Sequence, residues 1–192
     1  MGWTYTNVDK LEKTAMFIEG AEGTGKSNSR RGGNNKMKVS HVMPCSVNLL
    51  TVATKLEREA ITASAMFISE NPPLLVISIH KDTKTHELIE ESEQFVLNIA
   101  STHQMKLAKK LGHEKAADKF KEFGIETEKA ATVDASIIKG SFASIECKVV
   151  TSLSVSHFTL YVAEVIDFVR NEGLSPMVWD MDRYYALGVE LT

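Results

Sequence analysis

Strand-type segments stand on both sides of one helical stretch, and that order constrains the fold of this 192-residue chain more than any single motif. Before the stretch come VNLLTVAT at residues 47–54, a short apolar run at 61–67, LLVISI at 74–79 and FVLNI at 95–99. Their β-branched and apolar content marks them as strands. Residues 74–79 are apolar almost throughout, which predicts a strand covered on both faces. A short helix is predicted over 85–92, with Leu88 and Ile89 inward and Glu87, Glu90 and Glu91 toward solvent. Residues 103–123, rich in Lys, Ala and Leu, predict one or two helices broken at Gly112. Three more β-type runs follow at 141–153, 157–169 and 184–191. A Rossmann sheet needs strand and helix in alternation, and that alternation is missing. The expected fold class is therefore mainly β with peripheral helices, built as a barrel.

The chain is long enough for one domain with a full core. Two parts are expected: an N-terminal extension over residues 1–38 carrying a basic Gly-rich loop, and a single domain over 39–192. A formal charge of −3 gives no electrostatic case for nucleic acid as a partner. No apolar run approaches the roughly 20 residues of a membrane helix, and the first residues lack the build of a secretory signal. Cys45 and Cys147 lie far apart with no CxxC and no His/Cys cluster, so neither a metal site nor a disulfide framework is expected. The expected location is the cytoplasm.

One conspicuous motif competes for attention. Residues 20–27, Gly-Ala-Glu-Gly-Thr-Gly-Lys-Ser, satisfy the phosphate-binding string GxxxxGK[ST]. In a true P-loop, Lys26 would meet the outer phosphates and Ser27 would hold magnesium. A helix must follow such a loop, and NSRRGGNNK offers no buried face for one. The segment reads as an exposed basic loop, in which Lys26, Arg30 and Arg31 could still attract a nucleotide phosphate.

Residues 62–99 carry more chemistry. Thr62, Ala63 and Ser64 form a small-residue turn over which a backbone can approach a planar ring. Lys81, Thr83 and Thr85 alternate in an extended loop just before a helix N-terminus, an arrangement suited to phosphate. Each residue also has a plainer reading. Thr83 or Thr85 can serve as the helix N-cap, Lys81 can be a solvated lysine, and Ser78 can bond its strand neighbours.

As a whole, residues 39–188 resemble the flavin reductase-like family. The family order is a Pro before a valine-rich strand, Thr-Ala-Ser, Ser-x-x-Pro-Pro, a strand, a Ser/Thr loop, a helix and Phe-Val-x-Asn. Here these fall at Pro44, residues 47–54, Thr62 to Ser64, Ser69 to Pro73, residues 74–79, Thr83 to Thr85 and Phe95 to Asn98. Glu146-Cys147, LYVAEV at 160–165 and YYALG at 184–188 look like its later motifs. The resemblance implies an FMN-binding split β-barrel, homodimeric with FMN at the interface. It implies ring and ribityl contacts from Thr62, Ala63, Ser64 and Ser69, and ribityl–phosphate contacts from Ser78, Lys81, Thr83 and Thr85. The implied function is NAD(P)H:flavin oxidoreductase, with NADH or NADPH as co-substrate. The alternative is a flavoredoxin-type electron carrier without direct NAD(P)H oxidation. His157 is the candidate on the nicotinamide side, although the family His position falls on Phe158.

Overall fold

The computed structural model describes residues 39–188. The predicted extension with its Gly20–Ser27 string, and the last four residues, lie outside the described residues.

Eleven strands and three helices are described, in the order β1 (Cys45–Ser46), β2 (Asn48–Ala53), β3 (Arg58–Glu70), β4 (Pro73–His80), α1 (Lys84–Ser92), β5 (Gln94–Ile99), α2 (Met105–His113), α3 (Lys119–Glu122), β6 (Thr127–Lys129), β7 (Ser136–Ile138), β8 (Ala143–Val155), β9 (Phe158–Arg170), β10 (Met177–Asp180) and β11 (Arg183–Ala186). Six of the strands close a barrel in the order β2-β3-β4-β9-β8-β5, every ladder antiparallel. Closure removes the unpaired edges that an open sheet would present. The mainly β expectation is met.

Alternation along the strands builds the barrel interior. Leu50 and Val52 of β2, Leu75, Ile77 and Ile79 of β4, Phe95 and Leu97 of β5, and Tyr161 and Ala163 of β9 share one core. Helix α1 adds Leu88 and Ile89 to it. The predicted face of that helix is therefore the buried one. Thr83 caps it, its hydroxyl accepting from the His86 amide at 3.3 Å and donating to the His80 carbonyl at 2.7 Å. A second core lies outside the barrel, where Val47, Leu49 and Ala60 meet Ala108 and Leu111 of α2, Phe120 of α3 and Met177 of β10.

Local expectations fail in four places. Thr62, Ala63 and Ser64 form no turn: they lie inside β3, with Ala63 opposite Asn48 and Ser64 opposite Ser78. Strand β4 buries only one face, because Val76 and Ser78 on the other face a cavity; β2 and β5 are the strands covered on both faces. The helical stretch breaks after His113 rather than at Gly112, which sits inside α2. Strand β11 ends at Ala186 and pairs with β10, which periodicity did not reveal; the same is true of the small β6–β7 ribbon. Strands of three or four residues are too short to show a period.

Candidate functional site

A cavity of about 650 Å³ opens on the outer face of the barrel. Its floor follows from strand periodicity. Inward residues Ile61, Ala63 and Ala65 pack on the barrel core, so Thr62, Ser64 and Met66 of β3 point outward. Val76 and Ser78 of β4 and Leu160 of β9 share that face, because Ser78 lies opposite both Ser64 and Leu160. The walls come from elsewhere: Met43 and Cys45 to Asn48 on one side, Gly112 and His113 of α2, and Trp179 and Tyr184 of the β10–β11 pair. Trp179 lies directly opposite Tyr184 in that ladder, and opposite Cys45 in the β1–β10 ladder.

The backbone changes partners at this point. Strand β3 pairs with β2 only as far as Ala63 and with β4 only from Ser64 onward. Beyond Asn48 no described strand continues the β2 side, so the edge of Ser64 to Met66 that faces away from β4 has no ladder partner. The Asn48 amide closes the handover by donating to the Ala63 carbonyl at 3.2 Å, and it accepts from the Ser46 hydroxyl at 3.0 Å. Unpaired strand amides and carbonyls beside small side chains form a hydrogen-bonding edge for a flat polar heterocycle.

The flavin reductase-like domain model matches residues 39–188, three quarters of the chain and the whole of the barrel with its cavity.

The chain belongs to the flavin reductase-like family.

Its relatives extend the comparison. An uncharacterized protein of Pyrococcus abyssi is 28% identical over 105 residues, which cover 55% of this chain and 61% of that relative. The FMN reductase (NADH) RutF of Pseudomonas syringae pv. syringae is 25% identical over 149 residues, covering 77% of this chain and 83% of that relative. Among solved structures, the NADH:FAD oxidoreductase SgcE6 of Streptomyces globisporus superposes with a TM-score of 0.74 at 22% identity, covering 85% of this chain and 100% of that one. At that identity the likeness shows the fold. Family and fold together place the chain among flavin reductase-like oxidoreductases.

Four of the residues singled out in the sequence, Thr62, Ala63, Ser64 and Ser78, meet in the cavity of this family member. The others do not line it. Ser69 sits where β3 bends toward Pro72, its hydroxyl donating to the Pro72 carbonyl. Lys81 lies beyond the end of β4, where its ammonium donates to the Ser156 carbonyl at 2.6 Å and its amide to the His157 carbonyl at 2.9 Å. Thr83 is occupied as the α1 cap. Thr85 is 1% exposed, and its hydroxyl has no hydrogen-bond partner. His157, at the β8–β9 turn, stacks on His80 with ring centroids 6.1 Å apart.

Periodicity missed the walls. Gly112 sits at a close approach: a Cβ there would lie 3.1 Å from the Thr62 hydroxyl oxygen, tight enough that the threonine would have to shift. Cys45, Trp179 and Tyr184 stand on three short strands, β10 lying between β1 and β11. The aromatic pair in MVWD and RYYA was the available signal for the third wall. Burial pushes the Cys45 thiol and the Tyr184 phenol above their ordinary pKa values, which keeps both neutral near pH 7. Among the described residues no group of His, Cys, Asp or Glu is arranged to hold a metal ion. No described helix is long and apolar enough to cross a membrane.

Proposed function

We propose that this protein binds FMN in the outer-face cavity and acts as an NAD(P)H:flavin oxidoreductase. The observation that carries the reading is the unpaired β3 edge at Ser64 to Met66, set in a cavity of about 650 Å³ between small side chains and an aromatic wall. That donor set fits a flavin. Ala63 and Ser64 leave the backbone accessible, Ser78 offers a hydroxyl, and Val76, Leu160 and Trp179 supply apolar surface for the ring.

When bound, flavin supplies the hydride-accepting chemistry, so no protein nucleophile or metal is required. The chain's residues bind and orient. Backbone groups of the β3 edge would bond the polar rim of the ring and thereby tune its potential. Trp179 and Tyr184 would exclude water from the face they cover, and Gly112 holds Thr62 against α2.

A homodimer completes the proposal. Met66, Phe67 and Ile68 on β3, Leu153 on β8 and Phe158 and Phe168 on β9 are exposed apolar side chains on long strands that a second copy would cover. Two free thiols suit a reducing compartment, and we place the protein in the cytoplasm.

A flavoredoxin-type carrier is the second reading. It is favoured by His157, which lies outside the cavity and so offers no side chain there to position a nicotinamide. The test is visible absorption of the purified chain titrated with FMN, followed by anaerobic addition of NADH and of NADPH. Yellow protein that bleaches with either nucleotide supports the reductase. Yellow protein that stays oxidised with both supports the carrier, and protein that never acquires a flavin spectrum defeats both readings.

A further inference from the structure

Where β2 and β3 part, a buried side-chain amide stands in for the missing ladder. Asn48 is 2% exposed and lies opposite Ala63, the last residue of β3 that β2 reaches. Its Nδ2 donates to the Ala63 carbonyl at 3.2 Å and to the Ser46 carbonyl at 3.3 Å, and its Oδ1 accepts from the Ser46 hydroxyl at 3.0 Å. An amide engaged through both its nitrogen and its oxygen is held in one orientation.

Strand alternation shows what that orientation controls. The Val47 amide donates to the Met177 carbonyl and the Val47 carbonyl accepts from the Ala100 amide, so both main-chain groups of Val47 face away from β3. Along an antiparallel strand these groups switch sides at each residue. Those of Asn48 therefore face β3, and those of Ala63 face β2. On β3, Ser64 turns to Ser78 of β4, and Ala65 turns back to the side that β2 has vacated. The free groups of the edge are thus the Ala65 N–H and C=O. Ala63 and Ala65 pack their side chains on the barrel core and still line the cavity, so it is their main chain that the cavity meets.

We propose that Asn48 is a positioning residue for the flavin ring: it holds the Ala63 carbonyl, and through it sets the Ala65 N–H and C=O against the ring's polar edge. This rests on the flavin reading above. The pyrimidine edge of a flavin presents carbonyl, N–H and carbonyl in turn, and a strand N–H beside a C=O matches two of the three. Ala65 lies about 7 Å beyond Ala63 at the rise of a strand, so a tilt at Ala63 misplaces the pair. An amide suits the post because it donates to the Ala63 carbonyl while accepting from Ser46. A carboxylate of the same shape lacks the donor and would repel both carbonyls.

The test uses the full chain and the variants Asn48→Asp, Asn48→Ala, Ser46→Ala and Glu146→Gln. Dissociation constants for riboflavin and FMN are measured by quenching of flavin fluorescence, with thermal midpoints alongside. At pH 8, Asn48→Asp and Asn48→Ala should each weaken both flavins about tenfold, because the edge addresses the ring and not the phosphate. Ser46→Ala leaves the amide in place without its orienting hydroxyl; it should weaken both about threefold, and it decides the matter if neither Asn48 variant folds. Lowering the pH to 5 separates positioning from packing. The introduced carboxyl, its pKa raised by burial beside two carbonyls, takes up a proton and regains a donor. Asn48→Asp should then recover riboflavin affinity, and Asn48→Ala should not. Cys45, His113 and Tyr184, the titratable groups among the described lining residues, are common to wild type and variants and cancel in the ratio. Glu146 bonds the Ala131 and Thr132 amides away from the cavity, so Glu146→Gln should lower the midpoint and leave both constants unchanged. Equal losses of affinity in Glu146→Gln would overturn the proposal, as would an Asn48→Asp deficit that persists at pH 5 or recovery in both Asn48 variants. A wild-type chain that binds no flavin defeats the functional reading and this proposal together. Wild-type affinity in the Asn48 variants, or in Ser46→Ala where those do not fold, defeats the proposal alone.

Discussion

Gly112 of α2 and Thr62 of β3 touch so closely that a Cβ on the glycine would lie 3.1 Å from the threonine hydroxyl oxygen. The helix therefore presses on the strand at the point where β3 leaves β2 for β4. Local helix propensity argues against a glycine here, at a cost of about 1 kcal/mol relative to alanine. Packing against Thr62 accounts for its presence.

A larger side chain at that contact should displace Thr62 toward the cavity. Gly112→Val is expected to cost about 1–3 kcal/mol of stability through overpacking and to weaken flavin binding. Thr62→Ala in the same chain should return part of the loss. A double-mutant cycle by urea unfolding should give a coupling of about 0.5–3 kcal/mol between the two sites, and zero coupling would show that they do not share the contact.

Filling the cavity from its floor should separate binding from folding. Ser64 is exposed, points outward beside Ser78 and contributes nothing to the barrel interior. Ser64→Leu is expected to lower FMN affinity by about a hundredfold or more, while the unfolding midpoint changes by no more than about 0.5 kcal/mol equivalent, as for other surface substitutions. Flavin absorbance after desalting, read alongside thermal unfolding, checks both halves.

The two thiols should differ in reactivity. Cys147 is fully buried in the barrel, and burial, reinforced by the Glu146 charge, pushes its pKa up to about 12. Cys45 is solvent-accessible at the cavity wall, and only partial burial of its thiol raises its pKa. A disulfide reagent at pH 8 should titrate Cys45 slowly and leave Cys147 untouched until the chain unfolds. Prior addition of FMN should slow the Cys45 reaction further, and two equal rates in the native state would contradict this arrangement.

Acid stability should depend on Glu146. This residue is 3% exposed, and burial alone would push its carboxyl upward. The Thr132 hydroxyl at 2.6 Å, the Thr132 amide at 2.6 Å and the Ala131 amide at 2.9 Å outweigh that effect and leave the pKa below its ordinary value. A folded-state pKa below the unfolded one stabilises the fold above about pH 4.3, and that contribution is lost as pH falls through the folded value. Glu146→Gln should therefore destabilise the chain at pH 7 by about 1–3 kcal/mol, as expected for leaving buried donors poorly paired. It should also flatten the loss of stability below about pH 4.5. Urea midpoints between pH 3 and pH 7 measure both.

The barrel strands β2, β4, β5, β8 and β9 and the buried face of α1 were legible from residue order alone, because apolar periodicity reports burial locally. So were the family and four of the residues that meet in the cavity, Thr62, Ala63, Ser64 and Ser78. Periodicity reports that a face is covered and is silent about what covers it. The outer face of β4 reads the same whether it meets protein or an open cavity, which is why residues 74–79 suggested two covered faces. Gly112, Cys45, Trp179 and Tyr184 come from segments distant in the chain, on a helix end and on strands too short to show a period. Only closure of the barrel, with α2 and the β10–β11 pair docked on its outer face, brings them against β3. The same long-range packing left Lys81 and His157 at the barrel end instead of in the cavity, since a strand's rise of about 3.3 Å per residue carries them past it.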